Sequence, residues 1–261
     1  MQIQENYQKQ IDFIYSYKPE KNYTFPGELG LRRTKVLMRF LDNPQEKIKI
    51  IHIAGTSGKG STCYILSSIL INQGFKTGLS LSPHLFDIRE RTQINNKLIL
   101  KKHYAKYIKE IKPAIELTIK ETGSIPTHFE ILTALNFYIF YKENVDYAII
   151  ETGLGGTFDA TNVVTNPNKL SVITRIGFDH TKILGNTLSK IASQKGGIIN
   201  ANSTFITIKQ SKKVNEIFNK ISKVKNSNMI QFSKRNYRKL RENEFSFISD
   251  GLHLTKVLLK L

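Results

Sequence analysis

The feature that most limits how this chain can fold is a glycine-rich turn set between two apolar patterns of different period. Residues 48–70 read IKIIHIAGTSGKGSTCYILSSIL. Ile48, Ile50, Ile51 and Ile53 are β-branched and fit a buried strand, whereas Cys63, Leu66 and Leu70, with Ile65 and Ile69, recur at helical spacing. The joining residues are Gly55, Thr56, Ser57, Gly58, Lys59, Gly60 and Ser61. Glycine there permits positive φ and lets backbone amides approach an oxyanion without an intervening Cβ. The following helix aims its free N–H groups and positive dipole end at the same point. The expected use is a phosphate cradle for a nucleotide, with Lys59 on the β/γ-phosphates and the hydroxyl of Ser61 or Thr62 on Mg²⁺. The spacing departs from the common P-loop, because two residues instead of four separate Gly55 from the Gly58-Lys59 pair and Gly60 follows the lysine. A plain glycine turn bearing a surface lysine is the alternative, and the flanking strand and helix favour the nucleotide site.

With 261 residues and 40% hydrophobic content, the chain has material for one large domain or two small ones. No apolar run approaches the ~20 residues of a membrane span, and the start MQIQENYQKQ lacks a secretory apolar region. The expected location is therefore cytoplasmic, with no membrane partner. The single cysteine, Cys63, makes no internal disulfide and reads as a small buried group. A net charge of +18 raises the question of nucleic acid. Half of that excess falls in residues 201–261, which hold 13 Lys plus Arg against 4 Asp plus Glu. Few aromatics interleave there and no nucleic-acid-binding signature accompanies them, so no nucleic-acid partner is expected; solvated faces or general attraction of small anions explain the charge.

Along the chain, residues 2–17 have helical spacing, a loop runs to Gly30, and residues 32–41 form a second helix. After Gly74, residues 77–81 make a strand that closes one βαβ unit. Ser82-Pro83-His84-Leu85 then leaves the strand at its carboxyl end, which makes Ser82 a candidate metal or phosphate contact or else a turn serine. A charged helix spans residues 101–121, with Pro113 inside it, and Thr127 with Glu130 forms a capping box for the next. The strand at residues 147–150 ends in Glu151, a carboxylate where nucleotide enzymes hold Mg²⁺, and a run of glycines follows. The strand at residues 170–176 ends in Gly177-Phe178-Asp179-His180. A helix from Thr187 to Lys195, a strand at 205–208 and a helix around 214–221 precede basic and apolar fragments that include His253 and Leu254. Taken singly, His180 reads as structural and Lys195 as a charge favourable to a helix terminus; Glu151 and His180 at two strand tips are stronger together.

GTSGKGS (55–61), SPHL (82–85), ETGLGGTFDATNVV (151–164), ITRIGFDHTKILGNTL (173–188) and QKGGI (194–198) resemble, in order, the motifs of the folylpolyglutamate synthase and dihydrofolate synthase family of the Mur ligase superfamily. The resemblance covers about residues 1–200. It implies an ATP-dependent amide ligase that joins L-glutamate to a folate or dihydropteroate carboxylate through an acyl phosphate. It further implies that Lys59 and the loop hold the phosphates and that Ser61 and Glu151 hold one Mg²⁺. Ser82, Glu151 and His180 would hold a second, with Lys195 as the carbamylated lysine, and Thr127, Phe129, Glu130 and Asp159 would line the pterin pocket. Ser57, Thr157, Arg175 and Gln194 depart from the family pattern, which touches pterin contacts and fine positioning more than phosphate binding.

The expected fold is α/β: a P-loop domain with a mostly parallel sheet flanked by helices, of Mur-ligase central type. Residues 1–200 form its core and residues 201–261 the remainder, ending before a C-terminal ligase domain that a separate chain would otherwise supply. Two rival readings stand beside the ligase: a truncated or split-gene ATP-binding fragment without activity of its own, and a Mur-type ligase for another acid.

Overall fold

The computed structural model describes residues 2–18 and 25–232. Two helices, α1 (Gln2–Tyr15) and α2 (Gly27–Phe40), precede the first strand, β1 (Lys49–Ala54). The glycine turn leads into α3 (Lys59–Asn72), and Gly74 at φ +88° ends that helix before β2 (Thr77–Ser80). A small hairpin of β3 (Gln93–Ile94) and β4 (Lys97–Leu98) turns on Asn95 and Asn96, both at the positive φ that a two-residue hairpin loop requires. Next come α4 (Lys101–Thr122), α5 (His128–Lys142) and β5 (Tyr147–Glu151). The described chain continues through β6 (Leu170–Ile173), the short α6 (Thr181–Leu184), α7 (Leu188–Lys195), β7 (Thr204–Ile208), α8 (Lys212–Lys225) and β8 (Asn228–Phe232).

The strands form one sheet in the order β4-β3-β2-β5-β1-β6-β7-β8. From β2 to β8 every neighbouring pair is parallel, and the β3–β4 hairpin is antiparallel at one edge. The mostly parallel α/β sheet flanked by helices is thus the one expected. The single βαβ unit needs a correction: β1 and β2 are not neighbours, because β5 inserts between them. From β1 the chain first moves toward β2 and later crosses to β6 on the other side, so the strand order reverses beside β1. Open α/β sheets bind ligands outside the carboxyl ends at such a reversal.

Parallel strands covered on both faces read as nearly continuous apolar runs, as KIIHIA and YAIIE do. Alternate residues serve opposite layers. Ile50, Ala148 and Ile150 meet the cluster built by α1, α2, α4 and α5, while Ile51, Ile53 and Ile149 meet Cys63, Leu66 and Leu70 of α3. A third cluster packs α7 and α8 on the remaining strands through Ile191, Phe205 and Phe218. Helix α5 is buried almost all round and presses on β2 so closely that a Cβ on Gly78 would meet Phe140 at 2.5 Å.

Some boundaries moved for physical reasons. Helix α2 starts at Gly27, earlier than the expected residue 32, and α8 is longer at both ends. β6 stops at Ile173 instead of 176, because Thr174 and Arg175 leave the ladder to hold the glycine turn. α6 and β8 were not foreseen: the first is too short to show a period, and the second lies among lysines. The later basic fragments, with His253 and Leu254, lie outside the described residues, as does the loop expected at Pro19. Among the described residues no helix is long and apolar enough to cross a membrane.

Candidate active site

The glycine turn leaves β1 at Ala54 and is clamped before α3 begins. Gly55 (φ +150°) faces Thr174 so closely that a Cβ would sit 1.8 Å from Oγ1, which no side chain survives. Thr174 Oγ1 donates to Ser57 O at 2.8 Å, and Lys195 Nζ donates to Gly55 O at 2.8 Å. Gly58 at φ +82° is the N-cap of α3, and the first bond of the helix runs from Thr62 N to Gly58 O. The amides of Lys59, Gly60 and Ser61 are therefore outside the ladder, as the first turn of a helix requires, and are available to an anion.

Of the eight residues expected to serve ATP, 55–62, Thr56 and Thr62 behave differently. Thr56 N donates to Arg175 O at 2.8 Å, and Thr56 Oγ1 bonds both the N–H and the C=O of Gly177 at 3.1 Å. Thr56 thus ties the turn to the segment that carries His180, and its amide is not a free phosphate donor. Thr62 is buried and Ser61 exposed, so of the two hydroxyls the one open to a cation is that of Ser61.

Glu151 ends β5 next to this turn, with its carboxylate oxygens 3.6 and 3.7 Å from the point where a Cβ on Gly60 would stand. Its Oε2 accepts the N–H of Ser82 at 2.9 Å. One carboxylate therefore joins the tips of three segments: the turn after β1, the loop after β2 and the end of β5. Burial raises the Glu151 carboxyl above the usual range, and the Ser82 amide, Lys59 and Arg91 pull it back. Among the described residues no lysine or arginine forms an ion pair with it.

Beside Ser82 lies a cavity of about 500 Å³. Phe25, Phe129 and Phe158 give it an aromatic wall, and Ser82, Arg91, Thr127, Glu130, Asp159 and His180 give it polar points. Glu130 caps α5 with Thr127 and is also held by Arg33, whose Nε and Nη2 donate at 2.8 and 2.7 Å from α2. Its charge is thus neutralised inside the wall. Asp159 is 1% exposed and accepts from Leu154 N at 2.7 Å and Thr161 N at 3.0 Å, so it shapes the glycine loop as well as lining the cavity. Burial raises its carboxyl.

Spacing gave no warning of two residues here. Arg91 lines the cavity and donates from Nε to His84 Nδ1 at 2.7 Å. His128 stacks on Tyr15 with ring centres 5.6 Å apart, and burial pushes it down to about 4, so it is neutral at pH 7. His128 lies within the stretch 127–130 that the resemblance sets at the pterin pocket; Arg91 was visible only as a residue type, its role hidden because it depends on the loop after β2 meeting α5.

Lys195, at the end of α7, is 2% exposed, and burial together with the Lys59 charge lowers it to about 8. The close fit of the 151–164 loop fixes its place. Gly156 has no room for a Cβ, which would stand 2.6 Å from Gln194 O and 2.9 Å from Lys195 O, and Thr157 donates to Gln194 O through both N and Oγ1. His180 caps α6 at φ +45°, with Nε2 3.4 Å from Asp179 Oδ1.

Among the described residues no three His, Cys, Asp or Glu side chains gather as a metal cage. Magnesium does not require one: it binds through one or two carboxylates with substrate phosphates and retained waters. Glu151, a buried carboxylate that pairs with no cation among the described residues and lies against Gly60, one residue before the exposed Ser61, suits that role.

The Mur ligase middle domain family matches residues 53–259. The chain is 42% identical over 179 residues to a dihydrofolate synthase/folylpolyglutamate synthase of Bacillus subtilis, covering 68% of this chain and 41% of that protein. It is 42% identical over 182 residues to a dihydrofolate synthetase of Saccharomyces cerevisiae, covering 69% and 42%. It thus spans about two fifths of the length of these curated relatives. Among solved structures, an FPGS complex with AMPPCP and folate superposes with a TM-score of 0.79 at 30% identity, over 87% of this chain and 54% of that one. Mycobacterium tuberculosis folylpolyglutamate synthase complexed with ADP gives 0.78 at 30% identity, over 88% and 50%. With the family match running across most of its length and the clamped glycine turn at its centre, the chain belongs to the Mur ligase middle domain family.

Proposed function

We propose that this chain forms the ATP-binding part of a ligase that adds L-glutamate to a folate or dihydropteroate carboxylate through an acyl phosphate. The observation that carries the reading is the position of Glu151, against Gly60 on one side and bonded to Ser82 on the other, at the entrance to an aromatic cavity. It brings a phosphate cradle and a pocket for a flat acid to one sheet edge. Relatives named for this activity, and a related structure holding AMPPCP and folate together, support the same assignment.

In this reading Lys59 and the amides of Gly58, Lys59, Gly60 and Ser61 hold the ATP phosphates. Ser61 and Glu151 would hold Mg²⁺, and Ser82, Glu151 and His180 a second ion, which would offset the repulsion between the γ-phosphate and the acceptor carboxylate. Thr127, Phe129, Glu130 and Asp159 line the space for the pterin. Transfer of the γ-phosphoryl group to the carboxylate gives a good leaving group, and the glutamate amine then displaces phosphate to form the amide. Lys195 at about 8 leaves roughly a tenth of its amine neutral at pH 7. A neutral amine adds CO₂ to give a carbamate and a proton, the modification implied by the resemblance. The parallel pairing of β7 and β8 onto β6 supports residues 201–232 as part of the same domain as residues 1–200. We place the protein in the cytoplasm.

The test is substrate-dependent ADP release from ATP with dihydropteroate or tetrahydrofolate plus glutamate, measured on this chain and on a full-length ligase containing it. The reading expects release that needs acid and amino acid together. If a panel of other acids drives release and neither pteroate nor folate does, the phosphate machinery stands and the pterin assignment falls.

A further inference from the structure

At the amino edge of the sheet, opposite the glycine turn, Lys169 immediately precedes β6 and is 2% exposed. No carboxylate lies within salt-bridge distance of it among the described residues. Its Nζ reaches Asn162 Oδ1 at 3.5 Å and Val164 O at 3.4 Å, contacts too long to satisfy an ammonium well. Burial and the neighbouring Lys225 lower it to about 7, with Glu46 acting in the other direction. An ammonium kept out of water without a partner is costly.

A second cavity, of about 170 Å³, adjoins this lysine and is lined by Glu46, Lys49, Val164, Asn166, Asn168 and Lys169 among others. Its acid is already occupied: Glu46 Oε1 accepts from Thr165 N at 2.7 Å and Oγ1 at 2.9 Å, and Oε2 accepts from Asn166 N at 2.9 Å. Lys47, also in the wall, is paired with Asp42. Among the described residues Lys49 pairs with no carboxylate, and it rests 5.3 Å from the Tyr147 ring centre. The cavity therefore combines two lysines without acidic partners among the described residues, two side-chain amides and one carboxylate already bonded to Thr165 and Asn166.

We propose that this cavity is a second anion site, which takes a small free tetrahedral oxyanion such as phosphate or sulfate, with Lys169 as its central donor. The site is independent of the ligase reading. Lys49 begins β1 and the glycine turn follows its end, so the two anion sites are roughly 16 Å apart along the strand. The cavity has room for one such ion with water and none for a nucleotide. An occupant would give Lys169 the charge-assisted bonds that the protein alone does not supply.

Sulfate is the probe, because its charge is constant near neutral pH. Calorimetric titration of the full chain at fixed ionic strength is expected to show a saturable site that survives Lys59→Ala, a change that empties the glycine turn of its lysine. Lys169→Met, which keeps the aliphatic stem, should weaken that site at least about tenfold, the equivalent of one good charged contact. Lys169→Arg should retain it, and Lys49→Ala, at an exposed position, should weaken it less. Thermal melts of each variant establish that it is folded. The proposal is overturned if Lys169→Met binds sulfate as tightly as the wild type, if binding disappears with Lys59→Ala, or if the wild type shows no saturable site. Displacement of sulfate by ADP in the Lys59→Ala protein would contradict a free-ion site.

Discussion

Lys169 and Lys195 place two ammonium groups almost wholly out of water, and each has a signature in pH. Their folded pKa values, about 7 and about 8, lie below the unfolded value near 10.5, so the unfolded chain binds more protons in the interval. Stability contributed by such a group rises with pH across that window, and the burial penalty is fully present below the folded pKa. Lys169→Met removes the penalty. Relative to that variant, the wild type should gain on the order of 2–3 kcal/mol between pH 7 and about 9.5, read from urea midpoints. Parallel pH curves for the two proteins would mean that the Lys169 ammonium keeps its ordinary pKa in the folded protein, as a solvated group does. Of these lysines, Lys195 was legible from the QKGGI motif, whereas Lys169 carries no local signal. Its burial comes from the loop at 162–166 closing over the start of β6.

At the scale of elements, the cavity depends on how α2, α5 and the loop after β5 are tied together. The Arg33–Glu130 pair links α2 to α5 with both side chains nearly fully buried. Removing one partner leaves the other charge unpaired, so Arg33→Met should cost about 3–5 kcal/mol in chemical denaturation. Converting both residues to apolar ones should restore most of that loss. A single variant near neutral would show that water reaches Glu130. The fit between the glycine loop and α7 makes a separate prediction. Gly156→Ala drives a methyl into Gln194 O and Lys195 O, so it should displace Lys195 and reduce turnover at least about tenfold while nucleotide affinity changes little. Equal loss of both would place the damage in the fold instead.

Capping box, strand tips and the turn were readable because each is a local pattern: Thr127 with Glu130, Glu151 after four apolar residues, Gly58 before Lys59. The same box concealed its second use, since the Glu130 partner Arg33 is 97 residues away. β6 ended early for a like reason, with Thr174 and Arg175 recruited by a turn more than a hundred residues before them.

For the molecule as a whole, one sheet reversal beside β1 brings the turn, Glu151, Ser82 and the cavity to a common edge. Local periodicity foresaw the strands but not that β5 would lie between β1 and β2, because strand order is set by crossovers and packing that no window of sequence contains. That insertion is what places Glu151 next to Gly60. In the proposed function this carboxylate and the lysine turn hold one magnesium nucleotide between them. The most direct test is calorimetric titration of AMPPCP, with and without Mg²⁺, into the wild type, Lys59→Ala and Glu151→Gln; the amide in the last variant can still accept the Ser82 N–H. Expected are weak metal-free binding that Mg²⁺ strengthens in the wild type, loss of binding in both conditions for Lys59→Ala, and metal-free binding that Mg²⁺ no longer strengthens for Glu151→Gln. Undiminished strengthening by Mg²⁺ in Glu151→Gln would contradict it.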